Sequence, residues 1–537
     1  MPKVAKGRRK RAYRPKTRSG CITCKVRRVK CDETRPACLR CLSTRRVCDG
    51  YIDIQPSHQP PCNLPVVHVT SGPSFDVHVP SKLKRSFEFF VQRSCLSLAG
   101  FFESDFWERL VLQAAYHESA VYHAIVAIGS FHELLEHQIK GIYENPDFAL
   151  QQYNLAIREL LVPLSQNGER AVDVCLISCI LFACFENMRG HYTSGGLHIR
   201  SGAKLLREIH YQQQTGELQH RVLGSKTQNE WYAPLEVLTK IFAGLDFHLS
   251  ATLQRLTRVA KMVGEQESKI HEASIYDTMH NAIPASFSSI EEAKNIFEYG
   301  RCQFASAQAA VISCDPIQFL DAVEARTDQY AALLSKFSLA LEALVDSKGS
   351  SLTPKEDIAI AVLKLHVLYS YASLKLEQLP SNNPSLRDAF LPQFQEMVLL
   401  GEKIIAEAIS STLPGSENRT TTSFCLDIGI LIPLYTVASQ CRDPIIRRKA
   451  INLLRSTSRQ EGLWNSLLVA KAAERVVELE ECALAALETS TGSLDWTELS
   501  SVQPFLELDA KGGRLLYSQQ EQGGNDRVNV VEEVFTW

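Results

Sequence analysis

The sequence lacks any apolar run long enough to cross a bilayer. Its longest apolar stretches, around Val174 to Phe185 and Ile428 to Ala438, are about a dozen residues against the roughly 20 that a spanning helix needs. Both read as buried helices, and no membrane partner is expected. Glycine, 27 of 537 residues, follows no triplet period, which excludes a collagen-like fibre. The hydrophobic share of 45% excludes a wholly disordered chain and is enough to bury a sizeable core. No apolar segment follows the charges Lys3, Lys6, Arg8 to Arg11 and Arg14, so the amino end does not read as a secretory signal. The 16 cysteines are therefore expected in a reducing compartment, where paired spacing means metal more often than disulfide.

Enzyme signatures are missing too. The patterns G-x-x-x-x-G-K-[ST], G-x-G-x-x-G and G-x-S-x-G do not occur. His132-Glu-Leu-Leu-Glu-His137 looks like a zinc-protease helix, but its histidines are five residues apart, about 140° around a helix, where a shared metal needs i and i+4. Two ordinary helix histidines are the expectation, and the chain is not read as an enzyme.

Net charge is only −2, with 58 Lys and Arg against 60 Asp and Glu, but this near balance conceals a division. Met1 to Cys48 holds 17 Lys and Arg against only Asp32 and Glu33, a balance of +15, which leaves 41 against 58, or −17, for the remainder. One end wants a polyanion and the rest does not.

Within that basic end stand Cys21, Cys24, Cys31, Cys38, Cys41 and Cys48, a C-x2-C-x6-C unit written twice at an offset of 17 residues. Zinc takes four ligands tetrahedrally, so two zincs need eight sulfur positions while six thiolates supply six. Two thiolates must bridge. Cys21 and Cys38, equivalent in the two halves, are the natural bridges, and the other four complete the shells. No proline or glycine interrupts the stretch after Cys21 up to Cys31, so a short helix is expected there, with Cys24 and Cys31 on one face turned toward zinc. Lys25, Arg27, Arg28 and Lys30 then spread around its other faces. The matching spacer in the second half carries only Arg45 and Arg46, so the first half is the one built to enter a groove. Arg or Lys on guanine O6 and N7 is the commonest specific major-groove contact, while Arg35, Arg40, Arg45 and Arg46 suit phosphates. The preceding arm, with Lys6, Arg8, Arg9, Lys10 and Arg11, reads as a nuclear localisation signal or a phosphate-binding arm.

The spacing, the basic loop Cys24-Lys-Val-Arg-Arg-Val-Lys-Cys31 and the segment Arg-Pro36-Ala-Cys38-Leu-Arg-Cys41 resemble the fungal binuclear six-cysteine zinc cluster of transcription regulators. That resemblance implies two zinc ions per chain, a helix in the major groove of double-stranded DNA and a CGG-type triplet read by Arg27 and Arg28. The stretch from about Phe87 to Arg207 is similar to the fungal-specific transcription factor domain that accompanies such clusters. The likeness lies in Leu98-Ala-Gly-Phe-Phe-Glu-Ser-Asp-Phe-Trp107, His117-Glu-Ser-Ala, Ala127-Ile-Gly-Ser-Phe-His132, Gln152-Tyr-Asn-Leu-Ala156 and Phe182-Ala-Cys-Phe-Glu186 with Arg189-Gly. It implies an all-α regulatory domain.

The domain reading follows: a basic arm over 1–16, the cluster over 17–51, a linker over 52–81, an all-α domain over 82–512 and a tail over 513–537. Pro56, Pro60, Pro61, Pro65, Pro73 and Pro80 interrupt every helix in the linker. No three clean heptads follow it, so a zipper is not expected, and self-association falls to the helical domain. Thr353-Pro-Lys-Glu356 is a capping box with proline at the first helical position, and Ser288 with Glu291 repeats the device. Pro146 opens one helix, and Gly190 closes another that starts near Ala171. The end of the chain, Arg514-Leu-Leu-Tyr-Ser and Val528-Asn-Val-Val around Gly523-Gly-Asn-Asp526, is the only strand-like part and predicts a short hairpin. The ten later cysteines lie mostly among apolar residues and serve packing. Leu494-Asp-Trp-Thr-Glu-Leu499 and Phe505-Leu-Glu-Leu-Asp509 interleave acids with large apolar groups, as a coactivator-binding segment does.

The functional expectation is a nuclear, sequence-specific regulator of RNA polymerase II transcription that activates fungal metabolic or secondary-metabolite cluster genes through CGG-type sites. The alternative is a ligand-sensing or interaction protein whose helical domain dominates, acting as repressor or cofactor with weak DNA binding.

Overall fold

A computed structural model describes residues 21, 23–24, 27, 29–34, 37–44 and 48, then 81–139, 145–165, 172–215, 231–245, 283–311, 316–376, 384–410, 423–462, 464–489, 503–505, 512–520 and 528–536. The chain forms two compact units, Met1–Val77 and His78–Trp537. The described residues of the first include the short helix α1 (Leu39–Leu42), a helical stretch at Thr23 and Cys24, and a core made of cysteines.

The second unit is helical, as its pattern predicts, but it holds two hydrophobic cores. The first is built by α2 (Ser81–Phe89), a π-helical turn at Phe90–Ser94, α3 (Cys95–Ala99), a second π-helical turn at Phe106–Leu110, α4 (Val111–His117), α5 (Ser119–Ile139), α6 (Asp147–Ser165), α7 (Val172–Met188), α8 (Tyr192–Thr215) and α9 (235–245). Helix α5 packs against α2, α6 and α7. Gly129 makes the α2 contact close: a Cβ there would stand 2.1 Å from the Ser86 carbonyl oxygen. The short apolar face after the linker thus docks on its own core rather than forming a zipper. Helix α7 is buried on nearly every side, which explains why Val174 to Phe185 shows no amphipathic stripe. It ends as expected, with Gly190 at φ 80°, Gly190 N–H donating to Asn187 O (3.0 Å) and His191 N–H to Glu186 O (2.9 Å).

The second core is built by α10 (Ile290–Val311), α11 (Pro316–Lys348), α12 (Pro354–Leu376), α13 (Leu391–Ser410), α14 (Leu431–Gln440), α15 (Pro444–Ser456) and α16 (Ser466–Thr489). The box on α12 forms in both directions: Glu356 N–H donates to Thr353 Oγ1 (3.2 Å) and Thr353 N–H to Glu356 Oε2 (2.9 Å). The box on α10 is shifted by one residue. Glu292, not Glu291, accepts from Ser288 N–H and Oγ–H (both 2.6 Å), and its own N–H donates to Ser289 Oγ. Helix α12 corrects the expectation that no segment is long and apolar enough to cross a bilayer: by length and composition it is, though 56% of its apolar window is buried.

Two sheets occur among the described residues, and the predicted hairpin is in one of them. Strand β5 (Gly512–Gln520) pairs antiparallel with β6 (Val528–Thr536) from Gly512↔Thr536 to Gln520↔Val528, and β4 (Gln503–Phe505) joins its other edge. Phe505 of the expected coactivator-binding segment therefore lies on a strand, while Leu494–Leu499 falls outside the described residues. The other sheet corrects the reading that only the chain end is strand-like. Strand β1 (Ser423–Cys425) runs parallel to β2 (Arg459–Glu461), which pairs antiparallel with β3 (Trp464–Asn465). Strands of two and three residues have no room for an alternating pattern. This sheet stitches the cores: Phe424 is buried in the first core, its N–H donates to Ser97 Oγ (2.7 Å), and Gln460 Nε2 donates to Asn187 O (2.9 Å).

Candidate metal centre and nucleic-acid interface

The 17-residue duplication is visible bond by bond. Cys24 N–H points to Cys21 Sγ at 3.4 Å, and Cys41 N–H points to Cys38 Sγ at 3.3 Å. Cys21 N–H approaches Cys31 Sγ at 3.4 Å, and Cys38 N–H approaches Cys48 Sγ at 3.5 Å. Each half therefore folds its backbone donors around its own sulfurs in the same way.

Together the halves form two sulfur tetrads, Cys21, Cys24, Cys31 and Cys38 in one and Cys21, Cys38, Cys41 and Cys48 in the other, each with all sulfurs within 4.8 Å of one another. Only Cys21 and Cys38 belong to both. A tetrahedron with Zn–S bonds of about 2.3 Å has edges of about 3.8 Å. The Cys21–Cys38, Cys24–Cys38 and Cys21–Cys41 sulfur separations are 3.6, 3.7 and 3.9 Å, close to that edge, so the donor set suits zinc. Burial pushes the Cys21 thiol up to about 12 and raises Cys24 and Cys38 as well. Sulfurs so desolvated remain thiols unless a cation replaces the proton.

The expected helix from Cys21 to Cys31 is not continuous. Thr23 and Cys24 are helical, Arg27 lies in a turn whose N–H reaches Thr23 O (3.1 Å), and Val29 N–H closes back on Cys24 O (3.1 Å). From Val29 the chain leaves the helix. The reason is metric: seven helical residues rise about 10.5 Å, whereas Cys24 and Cys31 sulfurs must meet within one tetrad. Cys31 therefore returns through non-helical backbone.

Of the proposed DNA-contacting residues, Lys30 is exposed and Arg27 half-buried, while Lys25 and Arg28 lie outside the described residues, as do Lys6, Arg8, Arg9, Lys10 and Arg11 of the arm. Arg27 Nη1 donates to Thr44 Oγ1 (3.1 Å), tying the basic turn to the second half at the 17-residue offset. Arg40, expected to face phosphate, is exposed on α1.

Sequence reasoning missed Asp32. Its carboxylate accepts from Leu39 N–H and Arg40 N–H (both 2.9 Å) and from the Thr34 hydroxyl, so the first half caps the first turn of α1 in the second. The Thr34 bond, with those backbone donors, holds its carboxyl down at about 2. An acid in a segment otherwise basic was the available signal. Glu33 beside it takes φ 62°, a left-handed turn that swings the chain from Cys31 toward Cys38.

Other candidate residues settle into structural roles. His132 is buried with Nδ1 2.9 Å from Ser94 Oγ, and His137 lies half-buried on the same helix. Cys95, Cys184, Cys302, Cys425 and Cys441 are buried; burial holds Cys95 and Cys425 up at about 11, which suits packing and not reactivity.

Comparison with known proteins agrees with this geometry at both ends of the chain. Residues 19–57 match the fungal Zn(2)-Cys(6) binuclear cluster domain, and residues 85–476 match the fungal specific transcription factor domain. The chain belongs to the fungal zinc-cluster transcription regulators. It is a DNA-binding, zinc-binding regulator and not an enzyme. It is 26% identical to the aspercryptin biosynthesis cluster-specific transcription regulator atnN of Emericella nidulans over 97% of this chain and 96% of that one. Transcription regulator lscL of Purpureocillium lilacinum is also 26% identical, over 35% of this chain and 48% of its own length. The transcriptional regulatory protein moc3 of Schizosaccharomyces pombe is 58% identical across 36 residues, 7% of each chain. No solved structure matches.

Proposed function

We propose that this regulator holds two zinc ions, with Cys21 and Cys38 bridging them, Cys24 and Cys31 completing one shell and Cys41 and Cys48 the other. The observation that carries this reading is the pair of sulfur tetrads sharing those two cysteines, in a segment that concentrates +15 of charge by Cys48. The metals lock two short turns back to back, and the first presents Lys25, Arg27, Arg28 and Lys30 to the major groove of a CGG-type triplet. Arg28 is the base reader and Arg27 shares its guanidinium between the groove and Thr44. Lys6, Arg8, Arg9, Lys10 and Arg11 add phosphate contacts and nuclear import. The domain boundaries are those of the charge and proline pattern: arm 1–16, cluster 17–51, linker 52–81, helical body 82–512 and tail 513–537.

The regulator acts in the nucleus on RNA polymerase II promoters, recruiting coactivators and activating the genes of a biosynthetic cluster. Similarity along nearly the whole chain to a regulator named for such a cluster supports this assignment. The helical body is the surface through which two copies associate. Selection of bound duplexes from a random pool, followed by a genome-wide binding map, tests the reading. Enrichment of CGG triplets and peaks over one contiguous gene cluster are expected, and enrichment without CGG refutes the base assignment.

A further inference from the structure

A cavity of about 540 Å3 opens between the two helical cores of the body. Its walls come from both, with Phe106, Trp107 and Leu245 from the first and Phe101, Phe102 and Ala359 from the second. That volume is in the range of small-molecule sites, the lining sets charged side chains beside apolar ones, and the seam between two packed bodies is where such sites form. Gly244 of α9 lines it, and a Cβ built there meets no atom within 4 Å. Glycine inside a helix weakens it relative to alanine, so this position leaves space at a cost in helix stability.

The charges around the cavity choose the ligand. Among the described residues, seven carboxylates line it against four lysines. Every one of those lysines already has a carboxylate: Lys240 with Glu236 (2.9 Å), Lys355 with Glu108 (3.4 Å), Lys294 with Asp427 and Lys348 with Glu356. Glu103 and Glu291 pair with none of these lysines, and Glu298 shares Lys294 with Asp427. Glu298 is the deepest of them, 16% exposed, with Lys294 Nζ at 4.0 Å already committed to Asp427. Desolvation, opposed by Lys294 and Arg301 and reinforced by Asp427, holds its carboxyl up at about 7, the state of an acid that an arriving cation would ionise.

We infer that this cavity binds a small molecule with an apolar body and a protonated amine, the amine seated on Glu298 and the body against Phe101, Phe102, Phe106 and Trp107. The site belongs to the helical body and stands whether or not the zinc cluster reads CGG. A ligand seated there touches both cores and therefore favours the arrangement in which they close on it.

Calorimetric titration of the full chain with 4-phenylbutylamine, 4-phenylbutanol and 4-phenylbutanoate tests the site. The amine is expected to bind at least tenfold more tightly than either control. Glu298→Gln, which keeps the shape of the side chain, should remove the preference for amine over alcohol. Gly244→Leu should weaken all binding at least tenfold while thermal unfolding of the chain stays unchanged or moves up, which separates a filled cavity from a misfolded one. No amine binding at millimolar concentration, tighter binding of the carboxylate, or equal binding by Gly244→Leu would overturn the inference. None of these outcomes bears on DNA recognition, which the duplex selection reads separately.

Discussion

Removing one sulfur at a time from the cluster separates bridging from terminal ligands. Cys21 and Cys38 belong to both tetrads, whereas Cys48 belongs to one. Cys48→Ala therefore leaves Cys21, Cys24, Cys31 and Cys38 as an intact tetrad, and a fragment from Thr17 to Tyr51 should fall from about two zincs to about one. Cys21→Ala leaves three sulfurs at each position, and occupancy should fall below about one zinc at micromolar metal. The consequence for folding is large, since structural zinc in small zinc-finger peptides contributes about 10–16 kcal/mol and a core of five buried cysteines offers little to replace it. Native mass spectrometry counts the metals, and circular dichroism during chelator titration follows the fold. Each zinc displaces thiol protons, so the pH at half occupancy should lie higher in Cys21→Ala than in wild type. Equal zinc retention by Cys21→Ala, Cys38→Ala and Cys48→Ala would refute the shared-sulfur arrangement.

Arg28→Ala should cost about 1–3 kcal/mol on a CGG-type duplex and much less on random DNA, whereas neutralising Lys6, Arg8, Arg9, Lys10 and Arg11 should weaken all DNA alike and flatten its salt dependence; the reverse pattern in fluorescence anisotropy would exchange their roles. Arg459 pairs with Glu461 (2.5 Å) in the sheet between the cores and lies over Phe101 at 4.1 Å, while Glu461 accepts from Ile430 and Leu431 N–H (2.9 and 2.8 Å). Arg459→Met strands that carboxylate and should cost about 3–5 kcal/mol in urea unfolding, with Arg459→Met/Glu461→Gln recovering much of it; an unrecovered double variant would show that the ion pair is not the cause. Glu356 has its carboxyl held down at about 2 by Lys348 and then by Thr353, below an unfolded value near 4.3, so its contribution is complete above about pH 4.3 and disappears as pH falls toward 2. Urea unfolding of wild type and Glu356→Gln across that range should converge at low pH, and a gap that widens there would contradict the sign. A fragment ending at Ser81 should sediment as a monomer and bind one triplet, since it carries no heptad run and stops before the apolar face of α2; a dimer with one sharply preferred site spacing would place a dimerisation element before α2.

The cysteine spacing singled out the six sulfurs that the structure gathers into two tetrads, because the two C-x2-C-x6-C units supply equivalent donors. The charge division determined the partner. Capping boxes and punctuating glycines determined where α12 begins and α7 ends, since these are local bonds between residues three to five apart. What only the tertiary structure decided depends on distant residues meeting. Convergence of the Cys24 and Cys31 sulfurs in one tetrad overrode the local helical preference between them. Asp32 reaches α1 from seven residues away because the two halves pack together. The sheet of β1, β2 and β3 joins β1 to a β2–β3 pair more than thirty residues further on, each strand too short to carry a period. The cavity beneath Gly244 exists because two cores, each legible as apolar helices, fail to fill the seam between them, and packing of that kind is a property of assembled surfaces that no single stretch of sequence encodes.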